Sequence, residues 1–536
     1  MAVRTAQNGG PMTSWSRGHI LLLVLTIAIA VLRVAATHHV FSATIDEQAH
    51  VASGYDWWNG IYGTDPTHPP LARMFFGLPL RILGVPPPQG DHFVTRGNEL
   101  FHHEQQYRRN LTWARRGNLL FLALAIAGVA LWSARWFGAT TGCIAAFLFS
   151  LLPPILAHAG LATTDLAVAA ALPFVVLAMS AWIERPDARR AAILGLVAGL
   201  GLLTKFSFIP FCAIVCLLLL AMHWRLLANV LRRLHWLLFA VVLSLLVVCA
   251  AYRFQFTTLS ESSKQGHSTM AGLAPGLVHF ADTVRVPAAS YFAGVAEVAL
   301  HDRAGHFAYL FGECRQLGWW YYFPVALFVK TPLPFLALAL WGMRSRRVLQ
   351  PLLIFLALLA YCMTSSINIG VRHVLPLYAP LAIIAASGLV QLRRSARRID
   401  VPRLAAALLV AWLVVAGVLA HPDYLAWFNE TAGAQPQRIV VDSNLDWGQD
   451  LKRLAGYLEK RGVERVGVLI ATADDISRFG IIAYGLEPNV QPHGWIAVSH
   501  TSVAYGNCRS ADAYRWLDYY RPTKRIGKSI EVYRIP

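Results

Sequence analysis

The sequence predicts a mainly α-helical, polytopic membrane protein with a small α/β domain at its C-terminus. The 536 residues are 56% hydrophobic and only 14% charged, whereas soluble domains are about 25% charged. Many apolar runs have the roughly 20 residues that a helix needs to cross a bilayer. After residue 420 the long apolar runs stop, and short β-branched runs alternate with polar helical patterns. These three observations set the fold class.

Eleven apolar runs are interpreted as membrane spans. They lie at residues 20–40, 117–134, 139–157, 163–183, 191–204, 206–223, 236–252, 320–342, 349–363, 374–391 and 404–420. The first run is too long for the apolar core of a signal peptide, and no small-residue cleavage site follows it. It is therefore interpreted as a retained first helix.

The arginines predict which side of the membrane each loop occupies. Every second loop is basic, namely 134–138, 184–190, 223–235, 344–348 and 391–403. Loops rich in Lys and Arg stay in the cytoplasm, so we expect the N-terminus inside and the C-terminus outside. The net charge of +18 is then explained by loops between spans, and no nucleic-acid partner is expected. The long loops 41–116 and 253–319 fall on the external face.

Two domains follow from this organisation: a transmembrane domain at 1–420 and an external α/β domain at 421–536. The stretches "IAVSHTSVAY" and "KSIEVYRI" are predicted strands. Asn444, Asp446, Gln449 and Asp450 are predicted to cap the helix that follows them. Cys314 and Cys508 both fall in external segments and could pair, whereas the other five of the seven cysteines lie in apolar runs.

Two adjacent acids, Asp46 and Glu47, directly follow the first span. A carboxylate at a membrane boundary is partly desolvated, and a second one beside it raises one pKa further, which suits a general base. The alternative is a helix cap at Asp46. His50 would share a helix face with both acids. A Glu-x-x-His pair offers only two metal ligands, so His50 is more simply a structural residue.

Further charged residues fall at the same predicted depth. Asp165 begins the fourth span, either as a functional carboxylate or as a helix cap. The candidate anion-binding cations are Arg73, Lys205, Lys330, Arg372 and His373. Lys330 lies inside a span just before Pro332 and Pro334, which predicts an irregular helix there. Snorkelling side chains or interface anchors are the alternative for each cation. As a set they favour a site for a phosphate.

These residues carry a resemblance to a known family. Asp46-Glu47 after the first span, "HPPLAR" at 68–73 and Asp165 at the start of a later span resemble the membrane glycosyltransferases of family 39, in the GT-C superfamily. That family includes protein O-mannosyltransferases and the aminoarabinose transferases of lipid A. The stretches "GWWYYFPVALFVKTPLP" and "NIGVRHVLPLY" look like bacterial members. The resemblance covers roughly residues 15–420.

The resemblance implies a donor sugar linked through phosphate to a polyprenol. It implies Asp46 as the catalytic base, Asp165 as a second external acid, and Lys205, Arg372, His373 and, more loosely, Lys330 as ligands of the donor phosphate. The loop 253–319 departs from the eukaryotic protein mannosyltransferases, because it is too short for their β-trefoil insertion. That departure argues against a protein acceptor, although lipid, glycan and protein acceptors all remain open.

We therefore expect a glycosyltransferase in a bacterial inner membrane, with its active site facing the periplasm. The acceptor hydroxyl loses its proton to a carboxylate, and placed cations stabilise the departing lipid phosphate. No cofactor is required, but a divalent metal is possible, with Glu47, His50 and His373 as candidate ligands. The rival interpretations are a lipid or glycan transporter, which would show repeats and broken helices, and a membrane receptor or assembly protein.

Overall fold

The computed structural model describes residues 14–262, 275–394 and 401–536. Parts of the predicted loops 253–319 and 391–403 lie outside these ranges. Before residue 420, the described residues form these helices: α1 (Arg17–Ala35), α2 (Glu47–Trp58), α3 (Pro70–Ile82), α4 (Phe93–His102), α5 (Tyr107–Arg116), α6 (Leu119–Phe137), α7 (Ala139–Ser150), α8 (Pro153–Ala159), α9 (Asp165–Glu184), α10 (Ala188–Leu202), α11 (Phe208–Met222), α12 (Leu227–Arg232), α13 (Leu234–Ala251), α14 (Leu259–Ser262), α15 (Pro275–Thr283), α16 (Ala289–Ala304), α17 (Tyr322–Lys330), α18 (Leu333–Gly342), α19 (Leu349–Cys362), α20 (Tyr378–Arg394) and α21 (Val401–Leu419).

Each of the eleven predicted spans coincides with a helix or with two consecutive helices. The predicted count is nevertheless not confirmed. Among the described residues, six helices are long and apolar enough to cross a membrane, or nine if each bent pair is one span. Two helices, α10 with 15 residues and α19 with 14, are shorter than the roughly 20 residues that a bilayer requires. Sidedness remains a prediction.

The most buried helices lie at the centre of the bundle. In α9, 78% of the residues in its most apolar stretch are buried, and in the segment Val371–Arg393 the share is 89%. The corresponding shares for α1, α13 and α21 are only 17%, 17% and 22%, so those helices present most of their side chains outward. Asp165 and Arg372 both lie at the ends of the two central helices.

Three helix pairs are sharply bent. The bend is 70° between α7 and α8, 79° between α11 and the segment Trp224–Arg232, and 111° between α17 and α18. A proline follows two of these breaks, at Pro153 and Pro332. Because proline lacks an N–H and clashes with the preceding turn, it begins a helix more readily than it continues one. The irregular helix predicted at Lys330 is present.

One end of the bundle, here named the loop face, carries the segments 41–116 and 421–449 and the described parts of 253–319, which contact one another. The amide of Ser42 donates to the carbonyl of Gln449 over 2.9 Å, and the amide of Phe311 donates to the carbonyl of Ile439 over 3.0 Å. Two small antiparallel sheets also lie in these segments: β1 (Phe256–Thr257) pairs with β2 (Val286–Pro287), and β3 (Ala308–Leu310) pairs with β4 (Glu313–Arg315).

The helices α2 and α3 cross at two glycines. A Cβ added at Gly54 would lie 1.8 Å from the carbonyl oxygen of Arg73, and one at Gly77 would lie 2.1 Å from the amide nitrogen of Tyr55. Any larger residue at either position would force the backbones apart. This close contact fixes the distance between the helix that follows Asp46 and the helix that carries Arg73.

The C-terminal part folds as a mixed sheet with helices, as the sequence predicts. Its strands are β5 (Arg465–Leu469), β6 (Ile482–Gly485), β7 (Gly494–Ser499), β8 (Lys524–Ile526) and β9 (Ile530–Ile535), in the order β6-β5-β7-β9-β8. The strand β5 is parallel to β6 and β7, whereas β9 is antiparallel to β7 and β8. Helices α22 (Leu451–Lys460) and α23 (His500–Arg509) accompany the sheet.

Two predictions for this part need correction. "IAVSHTSVAY" is a strand only as far as Ser499, whose side chain then accepts the amide of Ser502 and caps α23. The predicted capping of α22 is not observed: Asp450 occupies the N-cap position, but its side chain makes no capping bond there. The segment 421–449 packs on the bundle, since Tyr424 and Trp447 belong to its core. The sheet has two small cores of its own, which begin at Leu451.

A disulfide between Cys314 and Cys508 joins β4 to α23. The two cysteines are 194 residues apart, so the bond closes a loop that contains the last membrane helices. Closing so long a loop restricts the unfolded chain strongly. The pairing that the sequence left open therefore connects the loop face to the sheet.

Glu47 forms a fully buried ion pair with Arg115. The Nε and Nη2 atoms of Arg115 donate to the two carboxylate oxygens over 2.8 and 2.7 Å. Both side chains are 0% exposed. Glu47 also accepts the amides of Thr44 and Ala162, each over 2.8 Å. Its oxygens are thus committed to Arg115 and two backbone amides, which changes the predicted part of Glu47 from catalysis or metal binding to fixing the start of α2.

We expect Glu47→Gln to lower the free energy of unfolding by about 3–5 kcal/mol, because it leaves the buried Arg115 charge without a partner. Thermal unfolding of the purified protein in detergent measures the loss. Glu184→Gln is the matched control, since Glu184 pairs with Arg135 over 2.6 Å but is 52% exposed, and an exposed pair contributes about 0–1 kcal/mol. Equal shifts for both variants would contradict the assignment.

Replacing Cys314 and Cys508 by serine should lower the free energy of unfolding by about 2–4 kcal/mol. Thermal unfolding of the double variant, compared with wild-type protein with and without reductant, measures the effect. Cys249→Ser serves as the control, because Cys249 is a free thiol in a membrane helix. Ready labelling of Cys314 or Cys508 by a maleimide in unreduced wild-type protein would show that the bond is not formed.

Candidate active site

Four charged side chains from distant parts of the chain meet at the loop face. The Nη1 atom of Arg372 donates to a carboxylate oxygen of Asp46 over 2.5 Å, and the same nitrogen lies 3.8 Å from an oxygen of Asp165. The Nζ atom of Lys205 lies 2.6 Å from the other oxygen of Asp165. The order across this group, here named the charge cluster, is Lys205–Asp165–Arg372–Asp46. The sequence predicted all four residues.

The members of the charge cluster come from the ends of helices rather than from their middles. Asp46 immediately precedes α2, and Asp165 is the first residue of α9. Lys205 lies in the turn between α10 and α11, and Arg372 lies in the 3₁₀ stretch Val371–Leu377 that leads into α20. Each position is at a helix end, where charged side chains from separate segments can meet.

The four side chains differ in exposure. Asp165 is 1% exposed, Arg372 is 7%, Lys205 is 12% and Asp46 is 29%. Burying one charge alone is very costly, but two anions with two cations compensate one another. Asp46 is therefore the member that a molecule approaching the loop face can contact most easily.

The capping interpretations of Asp46 and Asp165 are not supported. Asp46 holds the N-cap position of α2 without a side-chain capping bond, and the N-cap of α9 is Thr164, again without one. The carboxylates are directed to Arg372 and Lys205 instead. Their position at helix starts is thus not explained by local helix geometry.

Several buried polar atoms around the charge cluster have no hydrogen-bond partner among the described residues. They include Nε of Arg372, Oδ2 of Asp165, Nε2 of His373 and Nδ1 of His158. Native proteins leave few buried polar atoms unpaired, so a concentration of them points to a missing partner. The Nε–H of Arg372 can only donate, which favours an anionic or oxygen-rich ligand.

A second group lies beside the charge cluster. Arg73 forms an ion pair with Asp65, and its Nε donates to Nδ1 of His50 over 3.1 Å. Burial and Arg73 hold the pKa values of His50 and His68 well below the usual range. Burial alone would raise the pKa of Asp65, but Arg73 and the Thr67 hydroxyl hold it below its usual value. Arg73 thus orders this loop and is separate from the charge cluster.

The second group also contains the one set of metal-ligand atoms found among the described residues. Ligand atoms of His50, Asp65 and His68 all lie within 4.8 Å of one another. Arg73 already supplies the positive charge next to Asp65 and occupies Nδ1 of His50, so a cation there would compete with it. Of the three predicted metal candidates, His50 alone belongs to this set.

Lys330 is fully engaged elsewhere. Its ammonium donates to the carbonyls of Leu425 and Asn444, each over 2.7 Å, and also to that of Trp427. A lysine has three N–H donors, so none is left for a phosphate. Instead of lining the charge cluster, Lys330 holds the segment 421–449 against the broken helix.

The aromatic ring of Trp447 lies against the charge cluster and was not predicted from the sequence. The Cζ atom of Arg372 is 4.3 Å from the centre of this ring. Trp447 belongs to the C-terminal segment, 75 residues after Arg372 in the numbering. A single sequence gives no signal for that contact, apart from the unusually polar and aromatic stretch "DSNLDWGQD" itself.

Comparisons with known proteins identify the fold. The family model described as dolichyl-phosphate-mannose-protein mannosyltransferase matches residues 87–252. The crystal structure of ArnT from Cupriavidus metallidurans bound to undecaprenyl phosphate superposes with a TM-score of 0.50 at 15% identity, covering 97% of this chain and 98% of that one. The crystal structure of the same protein in the apo state gives a TM-score of 0.50 at 14% identity, covering 96% of this chain and 98% of that one.

A more distant similarity is to the archaeal oligosaccharyltransferase AglB from Archaeoglobus fulgidus, with a TM-score of 0.41 at 16% identity, covering 77% of this chain and 56% of that one. No curated protein sequence matches the chain. The similarity to ArnT extends over almost the whole length of both chains, including the C-terminal sheet. The resemblance found in the sequence is confirmed: the chain has the fold of the GT-C superfamily membrane glycosyltransferases.

Proposed function

We propose that this protein is an inverting glycosyltransferase that moves a sugar from a polyprenyl-phosphate donor to an acceptor hydroxyl. The observation that carries the proposal is the charge cluster, in which two acids and two cations meet at the end of a GT-C bundle. The reaction needs a base for the acceptor and cations for the leaving phosphate, and the cluster offers both within one site.

The donor phosphate binds at the Lys205 and Arg372 side of the cluster. Its oxygens accept hydrogen bonds from Lys205 and from the free Nε–H of Arg372, with His373 nearby. As the bond between the sugar C1 and the phosphate oxygen breaks, the phosphate gains negative charge. Cations placed in advance stabilise that charge without reorganising. The lipid tail of the donor remains in the bilayer beside the bundle.

Asp46 acts as the base. It is the most exposed member of the cluster, and in the absence of donor it is held by Arg372. When the phosphate engages Arg372, Asp46 is released to accept the proton of the acceptor hydroxyl. The acceptor oxygen then attacks C1 from the side opposite the phosphate, which inverts the configuration at that carbon.

Asp165 has a different task. It contacts both Lys205 and Arg372 and is almost completely buried, so it is poorly placed to meet an acceptor. It fixes the two cations at the spacing that a phosphate needs. This revises the predicted part of Asp165 from a catalytic acid to a residue that orients the donor-binding cations.

The site is proposed to open on the periplasmic face of a bacterial inner membrane, with the N-terminus in the cytoplasm. The basic loops support this orientation. The acceptor is a lipid, a glycan or a protein, and no step requires a metal. The alternative of a lipid or glycan transporter is not favoured, since the fold is that of glycosyltransferases.

We expect Asp46→Asn to reduce kcat for sugar transfer by about 10²–10⁴-fold, since it removes the general base. Transfer of radiolabelled mannose from polyprenyl-phosphate mannose to membrane acceptors provides the measurement. Asp423→Asn is the matched control, because Asp423 also pairs with an arginine, Arg453, over 2.6 Å and is 20% exposed. Full activity of the Asp46 variant would eliminate Asp46 as the base.

Lys205→Gln should weaken binding of undecaprenyl phosphate by about 10–100-fold, because it removes a charge-assisted hydrogen bond. Lys205→Arg keeps the charge and should retain most of the affinity, which separates charge loss from misfolding. Lys460→Gln, an exposed lysine on α22, controls for net charge. Binding is measured by ligand-induced stabilisation in detergent. Unchanged affinity in the glutamine variant would place the phosphate elsewhere.

A further inference from the structure

The segment 442–450 lies between the two chain stretches that carry Asp46 and Arg372. On the Asp46 side, the amide of Ile45 donates to the carbonyl of Trp447 over 3.1 Å. The amide and the hydroxyl of Ser42 donate to the carbonyl of Gln449 over 2.9 and 3.0 Å. The residue immediately before Asp46 is thus fixed by the backbone of Trp447.

The same segment also holds the stretch that carries Arg372. The amide of Val371 donates to Oδ1 of Asn444 over 2.9 Å, and the hydroxyl of Ser443 donates to the carbonyl of Ile369 over 2.6 Å. The ring of Trp447 covers one face of the Arg372 guanidinium at 4.3 Å. One short segment therefore contacts both partners of the Asp46–Arg372 pair.

The segment is itself held rigidly. The carbonyl of Asn444 accepts from Lys330 over 2.7 Å, and its amide group donates to the hydroxyl of Tyr322 over 2.9 Å. The amide of Thr501 donates to Asp446 over 3.0 Å. Gly448 has a φ of +92°, a backbone conformation that glycine adopts without penalty. These contacts come from the broken helix, through Tyr322 and Lys330, and from the first turn of α23, through Thr501.

We infer that Trp447 and Asn444, supplied by the C-terminal segment, are positioning residues of the active site. An aromatic face fixes the plane of a guanidinium through its electron density and uses none of its N–H donors. Arg372 is thereby held while its hydrogens remain available for Asp46 and for a phosphate. A second carboxylate in place of the ring would occupy those donors and weaken the site. The inference rests on the proposed function.

The first test follows the positions of the two stretches without any assay of activity. In Trp447→Leu, hydrogen–deuterium exchange of peptides covering 41–50 and 366–373 should rise about tenfold, because their local opening becomes easier. Trp495→Leu is the matched control: Trp495 lies under Arg534 at 5.8 Å in the sheet, away from the cluster. Unchanged exchange in both peptides, or an equal rise throughout the bundle, would overturn the inference.

The second test measures coupling to Arg372. Trp447→Leu should lower kcat/KM for transfer from polyprenyl-phosphate mannose by about 10–100-fold, since small misplacements of reacting groups are costly. Trp447→Phe should recover most of the activity, because it restores an aromatic face. Once Arg372 is replaced by Lys, the further loss caused by Trp447→Leu should be about threefold or less, as coupled residues are not additive.

Additive losses in the double variant, or failure of Trp447→Phe to recover activity, would refute a positioning role through Arg372. If the wild-type protein transfers no sugar from any polyprenyl-phosphate donor, the proposed function fails. The exchange measurement still decides whether Trp447 positions the two stretches, so the two failures are distinguishable.

Discussion

A single guanidinium, that of Arg372, lies between the carboxylates of Asp46 and Asp165, which stand at the starts of two separate helices. Charges at the end of an apolar bundle are tolerated only when opposite charges lie beside them. Arg372 supplies the positive charge beside Asp46, and Arg372 and Lys205 together supply it beside Asp165. The two positive and two negative charges balance, yet the Nε–H of Arg372 has no hydrogen-bond partner among the described residues. The charge cluster can therefore be stable without a ligand and still offer a hydrogen-bond donor to an anion.

The arrangement of the loop face follows from the need to hold that guanidinium and its partners. The buried Glu47–Arg115 pair fixes the turn directly after Asp46. The close crossing of α2 and α3 at Gly54 and Gly77 keeps the following helix in place. Farther along, the buried ammonium of Lys330, at the helix break, donates to three carbonyls of the C-terminal segment. Each of these contacts holds a segment that adjoins the charge cluster.

Much of the site was predictable because the ends of apolar spans show which charged residues lie at the same depth relative to the membrane. Asp46, Asp165, Lys205 and Arg372 all follow or begin an apolar run, and helix ends at one membrane boundary lie near one another. The sequence could not show what each charge contacts. Glu47 and Lys330 were also predicted site residues, but Arg115 engages Glu47 and three backbone carbonyls engage Lys330. The sequence did not indicate a site role for Trp447, because its contact with Arg372 forms only when the segment after α21 folds back onto the bundle.

The positions of the helices were also predictable from the apolar runs, whereas the bends and the lengths of the helices were not. Hydrophobicity locates helices, but the bends at Pro153 and Pro332 and the short α10 and α19 leave fewer helices of full membrane length than apolar runs. In the C-terminal part, Ser499 converts a β-branched run into a helix start. Local hydrogen bonds of this kind override average residue preferences.

The docking of the segment 442–450 has a consequence for the biogenesis of the protein. Helix α21 (Val401–Leu419) separates Arg372 from this segment along the chain, so the segment reaches the charge cluster only after α21 has been synthesised and inserted. A chain interrupted during translation or membrane insertion would carry all four charged residues and still lack the contacts that align them. The charge cluster thus receives the contacts that align it only after this later segment has been synthesised.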